Sequence, residues 1–140
     1  MIKLKDLLFE RDENDTKDSG GILYYYGDKV LLCLSSGSGK WNVPKGHIMK
    51  GEDPLDGAIR EFKEETGINV SSEIKYLNSF PMENEGTFYA YFTNIKSLIF
   101  PSNEAIDSIE HEEWGFFRIQ ENSLPEPMTT ETKETILKLK

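Results

Sequence analysis

Three glutamates, Glu61, Glu64 and Glu65, stand at i, i+3 and i+4 within the stretch GHIMKGEDPLDGAIREFKEETGI, residues 46 to 68. On a helix turning about 100° per residue, that spacing gathers the three carboxylates on one side, where they repel one another. Glu64 and Glu65 also fall at the negative end of the helix dipole. Local stability argues against the arrangement. Of the cations, only Arg60 and Lys63 are close in sequence, and Arg60 reaches just part of the cluster. A hard divalent cation such as Mg²⁺ takes oxygen ligands, commonly a few carboxylates plus substrate phosphates, and would turn the repulsion into a binding site. The structural alternative is a solvated acidic face, the usual fate of a charge run.

The element that must carry these groups has both ends written in the sequence. Asp53 is a good N-cap, Pro54 suits the first helical position, Asp56 adds charge to the first turn, and Gly67 suits a left-handed C-terminal cap. The spacing predicts a helix over 54 to 66, with Leu55, Ala58, Ile59 and Phe62 as its core-facing stripe.

Upstream, ILYYY, Gly27-Asp28 and KVLLCLS read as a hairpin, followed by the flexible turn SSGSGK. Downstream, EIKYLNSF and GTFYAYFTNI read as strands around the turn-prone PMENEG. In the second of these, Phe88, Ala90 and Phe92 alternate with Tyr89, Tyr91 and Thr93, which predicts one core face and one more polar face. Residues 97 to 107 read as a loop and WGFFRI as a further strand. LPEPM is an extended connector, and TTETKETILKLK closes with a helix capped by Thr129 or Thr130 and packed through Ile136, Leu137 and Leu139. Hairpin, helix, strands and final helix make a mixed α/β domain.

At 140 residues the chain is one domain with a real core. Residues 1 to 19 read as a short amphipathic segment followed by a polar linker (RDENDTKDSG, 11 to 20), and residues 20 to 140 as the domain proper. A formal net charge of −9 argues against duplex DNA as a partner. No apolar run reaches the length of a membrane span, and the first ten residues lack a signal-peptide core, so a cytoplasmic protein without a membrane partner is expected. Cys33, the single cysteine, lies in the apolar run VLLCL and reads as a buried structural thiol. Trp41 reads as core or rim packing.

The stretch 46 to 68 resembles the Nudix box, G-x5-E-x7-R-E-U-x-E-E-x-G-U with U a bulky apolar residue, through Gly46, Glu52, Arg60, Glu61, Phe62, Glu64, Glu65, Gly67 and Ile68. Every fixed position is filled. The preceding Trp41-Asn42-Val43-Pro44-Lys45-Gly46-His47 is similar to the corresponding segment of Nudix enzymes that cleave dinucleoside polyphosphates, as is the S-x-E-H arrangement at Ser108 to His111.

The resemblance implies a Nudix α/β/α sandwich with a mixed β-sheet and the box as a loop-helix-loop at the sheet edge. It implies a metal site from Glu61, Glu64, Glu65, the backbone carbonyl around Lys45 or Gly46, and Glu110, with Glu113 in reserve. The metal would be Mg²⁺, with Mn²⁺ as an alternative. Glu61 and Glu64 would carry the chemistry, and Arg60 and Glu52 would orient the carboxylates. Lys45 would meet a phosphate, His47 could donate to one, and Tyr89 and Tyr91 are candidates to stack on a base. The implied reaction is metal-dependent hydrolysis of a phosphoanhydride in a nucleoside diphosphate linked to another group. Among substrates a dinucleoside polyphosphate leads, followed by RNA 5′ ends, ADP-ribose-like compounds and modified nucleoside triphosphates. A nucleotide-sensing Nudix module that does not cut is the alternative of another class. The assembly is a monomer or a homodimer.

Overall fold

The computed structural model describes residues 15–70, 73–97 and 111–140. In chain order these form β1 (Asp15–Tyr26), β2 (Lys29–Ser35), β3 (Trp41–Asn42), β4 (Lys45–Met49), α1 (Pro54–Thr66), β5 (Lys75–Pro81), β6 (Thr87–Asn94), β7 (His111–Arg118), a 3-10 turn at Glu121–Ser123 and α2 (Thr130–Leu137).

Strand β1 is the hub. It pairs antiparallel with β2 through the Gly27-Asp28 hairpin, antiparallel with β4, and parallel with β6. The order is β3-β2-β1-β6-β5, with β4 joined to β1 and β7 to β2. The sheet is therefore mixed, and the parallel pair is possible because the long connection between β1 and β6 contains a helix. Gly27 takes φ +61°, the left-handed geometry that a tight hairpin demands.

One apolar cluster fills each face. Leu23, Leu32, Trp41, Phe88, Ala90 and Ile136 belong to the first, which α2 covers. Ile22, Tyr24, Leu31, Ala58, Phe62 and Tyr91 belong to the second, beneath α1. A helix on each side of the sheet gives the expected α/β/α sandwich. Thr129 caps α2, its hydroxyl accepting from the Thr132 N–H at 3.2 Å, and Ile136 is fully buried. Trp41 packs edge-on against Phe117 at 5.0 Å, and Cys33 is buried with its thiol donating to the Asn42 carbonyl.

Two sequence expectations are corrected here. Residues 15 to 19 are strand, not exposed linker: Ser19 is paired with His47 on one side and Phe88 on the other. Their polar side chains serve neighbouring backbone, the Thr16 hydroxyl donating to the Ile48 carbonyl at 2.7 Å and the Asp18 carboxylate accepting from the Thr87 N–H at 2.8 Å. Composition alone cannot report such pairing. Strand β6 also lacks a polar face, since Tyr91 and Thr93 are as buried as Phe88 and Ala90. The side that alternation reads as more polar lies under α1, where Tyr91 packs with Ala58 and Phe62. The segment 1 to 10, most of the loop 97 to 107, and Glu110 lie outside the described residues.

Candidate metal and phosphate site

Helix α1 begins and ends as its sequence dictates. The Asp53 carboxylate accepts from the Leu55 N–H at 3.1 Å, Pro54 opens the first turn, and Gly67 at φ +75° returns its N–H to the Lys63 carbonyl at 2.8 Å. The helix lies close on the sheet because two glycines form its floor. Gly20 and Gly46 are direct partners across β1 and β4. A Cβ on Gly20 would sit 3.0 Å from the Ala58 Cβ, and one on Gly46 would fall inside the Glu61 carboxylate. Ala58 and Glu61 are one turn apart, so the same approach that seats the helix carries the Glu61 carboxylate down to the β4 backbone. Glu61 is fully buried.

Arg60 organises the polar side. Its Nε and Nη2 donate to Glu52 Oε2 and Oε1 at 2.9 and 3.0 Å, a bidentate fork. Nη1 donates to Glu61 Oε1 at 3.0 Å and to Glu64 Oε1 at 2.8 Å, while Nη2 also meets the His47 carbonyl at 3.0 Å. Glu52 Oε1 in turn accepts from the Met49 N–H at 2.9 Å. These contacts set the charges. The Arg60 hydrogen bond holds the Glu52 carboxyl below its ordinary range, with burial opposing and the Met49 N–H adding to the effect. Arg60 is pushed the other way, first by Glu52 and then, against its own burial, by Glu61 and Glu64.

The three glutamates are thus divided. Glu61 and Glu65 are buried, and Glu64 keeps about a third of its side chain exposed (36%). Among the described residues no three His, Cys, Asp or Glu side chains stand as a ready-made metal group. Arg60 draws Glu61 and Glu64 onto itself instead. The donors are all hard oxygens, and the Gly46 backbone lies bare beside the Glu61 carboxylate in a cradle that any Cβ would fill. That set fits a divalent cation whose remaining positions go to water and phosphate oxygens.

Of the other sequence candidates, Lys45 is half-buried on β4 with its ammonium 5.6 Å from the centroid of the Phe88 ring, a cation–π distance. Burial lowers its pKa, with Cys33 and Glu65 opposing. His47 is half-buried on the same strand, and its carbonyl is the part that meets Arg60. Tyr89 stands in register with Gly20, so Gly46, Gly20 and Tyr89 form one row across three strands. Tyr91 is buried against Tyr76, rings edge-to-face at 5.8 Å, and burial followed by the nearby Asp53 raises its phenol pKa. Glu113 is exposed on β7, opposite Leu34.

Sequence reasoning missed Tyr76, more than half exposed (56%) beside Tyr91, and missed Phe88 as the ring under Lys45. The signal for Phe88 was its place in the alternating strand. Nothing local marked Tyr76.

A NUDIX domain model matches residues 16–139. The chain belongs to the NUDIX family. Members of this family generally use divalent metals. Over 42 residues the chain is 50% identical to the bis(5'-nucleosyl)-tetraphosphatase [asymmetrical] of Mus musculus, a match covering 30% of this chain and 29% of that relative. The matched stretch is thus under a third of either protein. Among solved structures, a MutT NUDIX hydrolase from Burkholderia pseudomallei superposes with a TM-score of 0.75 at 21% identity, covering 88% of this chain and 97% of the other. An Ap4A hydrolase from C. elegans, solved as a binary complex, gives 0.64 at 22% identity, covering 86% and 94%. Both likenesses are of fold. No helix among the described residues is long and apolar enough to cross a membrane.

Proposed function

We propose that this NUDIX protein hydrolyses a phosphoanhydride bond in a nucleoside diphosphate linked to another group, with a dinucleoside polyphosphate as the leading substrate class. The observation that carries the reading is the Arg60 junction, which ties Glu52, Glu61, Glu64 and the His47 carbonyl into one rigid acidic edge beside a side-chain-free backbone at Gly46. The 42-residue likeness to a tetraphosphatase supports the substrate class.

Glu61, Glu64 and Glu65, with the backbone carbonyl around Lys45 or Gly46, would hold Mg²⁺, or Mn²⁺ in its place. When bound, the metal neutralises diphosphate charge and polarises the phosphorus under attack. The protein's own share is positioning. Arg60 and Glu52 fix the carboxylates by charge-assisted hydrogen bonds, and Glu64, the most exposed of the three, accepts the proton of the attacking water. Lys45 supplies positive charge to a neighbouring phosphate, and Tyr89 offers a ring to a base at the end of the glycine row.

The test is a turnover panel with Mg²⁺ and with Mn²⁺, spanning dinucleoside polyphosphates, ADP-ribose, nucleoside triphosphates and 5′-triphosphorylated RNA. The expected result is the highest kcat/KM on a dinucleoside polyphosphate. If the folded protein binds nucleotides but turns over none of them with either metal, hydrolysis is refuted and a sensing module takes its place.

A further inference from the structure

A cavity of about 630 Å³, within the range of small-ligand sites, opens at the end of the central strands and is lined by Tyr25, Phe92, Asn94, Glu73, Lys75 and Lys96. It lies on the other side of the sheet from the box. Tyr25 and Phe92 pack on the first core cluster, whereas their chain neighbours Tyr24 and Tyr91 belong to the cluster beneath α1. The sheet itself, with Leu23 and Ala90 fully buried in it, separates the cavity from the Arg60 junction.

Strand register sets the walls. Lys75 is the direct partner of Phe92 across β5 and β6, and Tyr25 that of Asn94 across β1 and β6. Phe92 and Asn94 are two residues apart on β6, so alternation brings all four side chains to one face. Two hydrogen bonds hold the frame. The Ile95 N–H donates to the Tyr25 carbonyl at 2.8 Å, and the Thr93 hydroxyl donates to the Glu73 carbonyl at 2.9 Å.

The half-buried rings of Tyr25 and Phe92, with centroids 6.3 Å apart and planes tilted by 37°, make an aromatic floor. Lys75, Lys96, Asn94 and Glu73 stand exposed around it. Among the described residues neither lysine is drawn into an ion pair, so both ammonium groups can meet a ligand, a local exception in a chain of net charge −9. Glu73 offsets one of the two charges, which suits a single phosphate group better than a polyanionic strand. A base can stack on the rings, and the Asn94 amide and Glu73 carboxylate offer a donor and acceptors to its polar edge.

We propose that this cavity is a second ligand site, separate from the box, that binds a nucleoside 5′-monophosphate, its base on the Tyr25 and Phe92 rings and its phosphate at Lys75 and Lys96. Nothing in this site depends on hydrolysis at the box.

The experiment titrates the isotope-labelled full chain with AMP in metal-free buffer and follows the backbone amides by NMR, with adenosine and inorganic phosphate as separate arms. AMP should shift the Asn94 and Lys96 amides saturably and bind at least about tenfold more tightly than either fragment. Phe92→Leu and the double variant Lys75→Ala/Lys96→Ala should each weaken AMP by about tenfold, the scale of one lost stacking or phosphate contact. The lysines are exposed, so the double variant keeps the test valid if Phe92→Leu fails to fold. AMP bound at the box shows separately, in the Gly46 and Glu64 amides, and neither variant should alter that response. No saturable shift at Asn94 and Lys96 overturns the site, as does an affinity for AMP that both variants leave intact. Inorganic phosphate as tight as AMP would reduce the cavity to an anion contact, and adenosine as tight as AMP to an aromatic one; either result overturns the nucleotide assignment.

Discussion

Arg60 and Glu52, eight residues apart across the turn that precedes α1, are joined by two nearly equal hydrogen bonds of 2.9 and 3.0 Å. One side chain lies on the helix and the other on the loop, so the pair fixes the angle at which the box helix leaves β4. A lysine has neither the planar fork nor the reach to meet Glu52, Glu64 and the His47 carbonyl together. Arg60→Lys should therefore lower unfolding free energy by about 2 kcal/mol, the scale of hydrogen bonds to charged groups, as measured by urea denaturation. Turnover should fall as well. A variant of native stability and full activity would show that the junction does not position the site.

The same pair makes stability depend on pH. Glu52 titrates below its ordinary value of 4.5 in the folded chain, so its contribution is complete above that value and is lost as pH falls through the lowered native one. Urea midpoints between pH 3 and 6 should show a stability loss on the acid side that flattens in Glu52→Gln. Identical acid limbs in the two proteins would contradict the assignment.

Glu64 and Glu61 should separate chemistry from folding. Glu64 is partly exposed and its ion pair with Arg60 is a surface one, so Glu64→Gln should change stability by less than about 1 kcal/mol. Hydrolysis should nevertheless fall by about two orders of magnitude or more, on the scale of lost electrostatic stabilisation. Glu61→Gln, at a fully buried position, should cost both. Calorimetric Mg²⁺ titration alongside turnover decides the matter, and undiminished turnover in a folded Glu64→Gln variant would remove Glu64 from the reaction.

Gly46→Ala places a methyl group inside the Glu61 carboxylate. The cost should be about 1 to 3 kcal/mol of stability, typical of overpacking, together with loss of activity. Gly39→Ala is the control, since a Cβ there meets nothing within 4 Å and only its φ of +69° resists substitution. If Gly46→Ala is as active as Gly39→Ala, the close seat of Glu61 is not needed.

Lys45→Ala should lower kcat/KM for diadenosine tetraphosphate more than for ADP-ribose, because a longer bridge presents more phosphate to the ammonium. The expected differential is about 1 to 2 kcal/mol, measured at fixed salt and saturating Mg²⁺. Equal losses on both substrates would place the lysine on a shared diphosphate.

The helix was legible because its signals are local: Asp53, Pro54 and Gly67 bound it, and each acts within a turn of its own position. The hairpin at Gly27-Asp28 and the cap at Thr129 were legible for the same reason. What escaped was long-range. That Thr16 and Asp18 serve β4 and β6, that α1 covers Tyr91, and that the three glutamates divide between interior and solvent all depend on partners distant in sequence. The arginine fork was half legible, since the resemblance names Arg60 and Glu52 as orienting residues but says nothing of their bond to each other or of the His47 carbonyl.

From Ser19 to Tyr25, β1 is held by β6 along its whole length and by β4 or β2 at its ends. Amides in this stretch should be among the last to exchange with deuterated solvent, because exposing them parts β1 from β6 and, at the ends, from β4 or β2 as well. Helix α1 rests on that strand at Gly20, so opening the strand releases the helix with it. The box therefore cannot outlast the sheet, and the slowest-exchanging amides of β1 report the free energy of the opening that takes both apart.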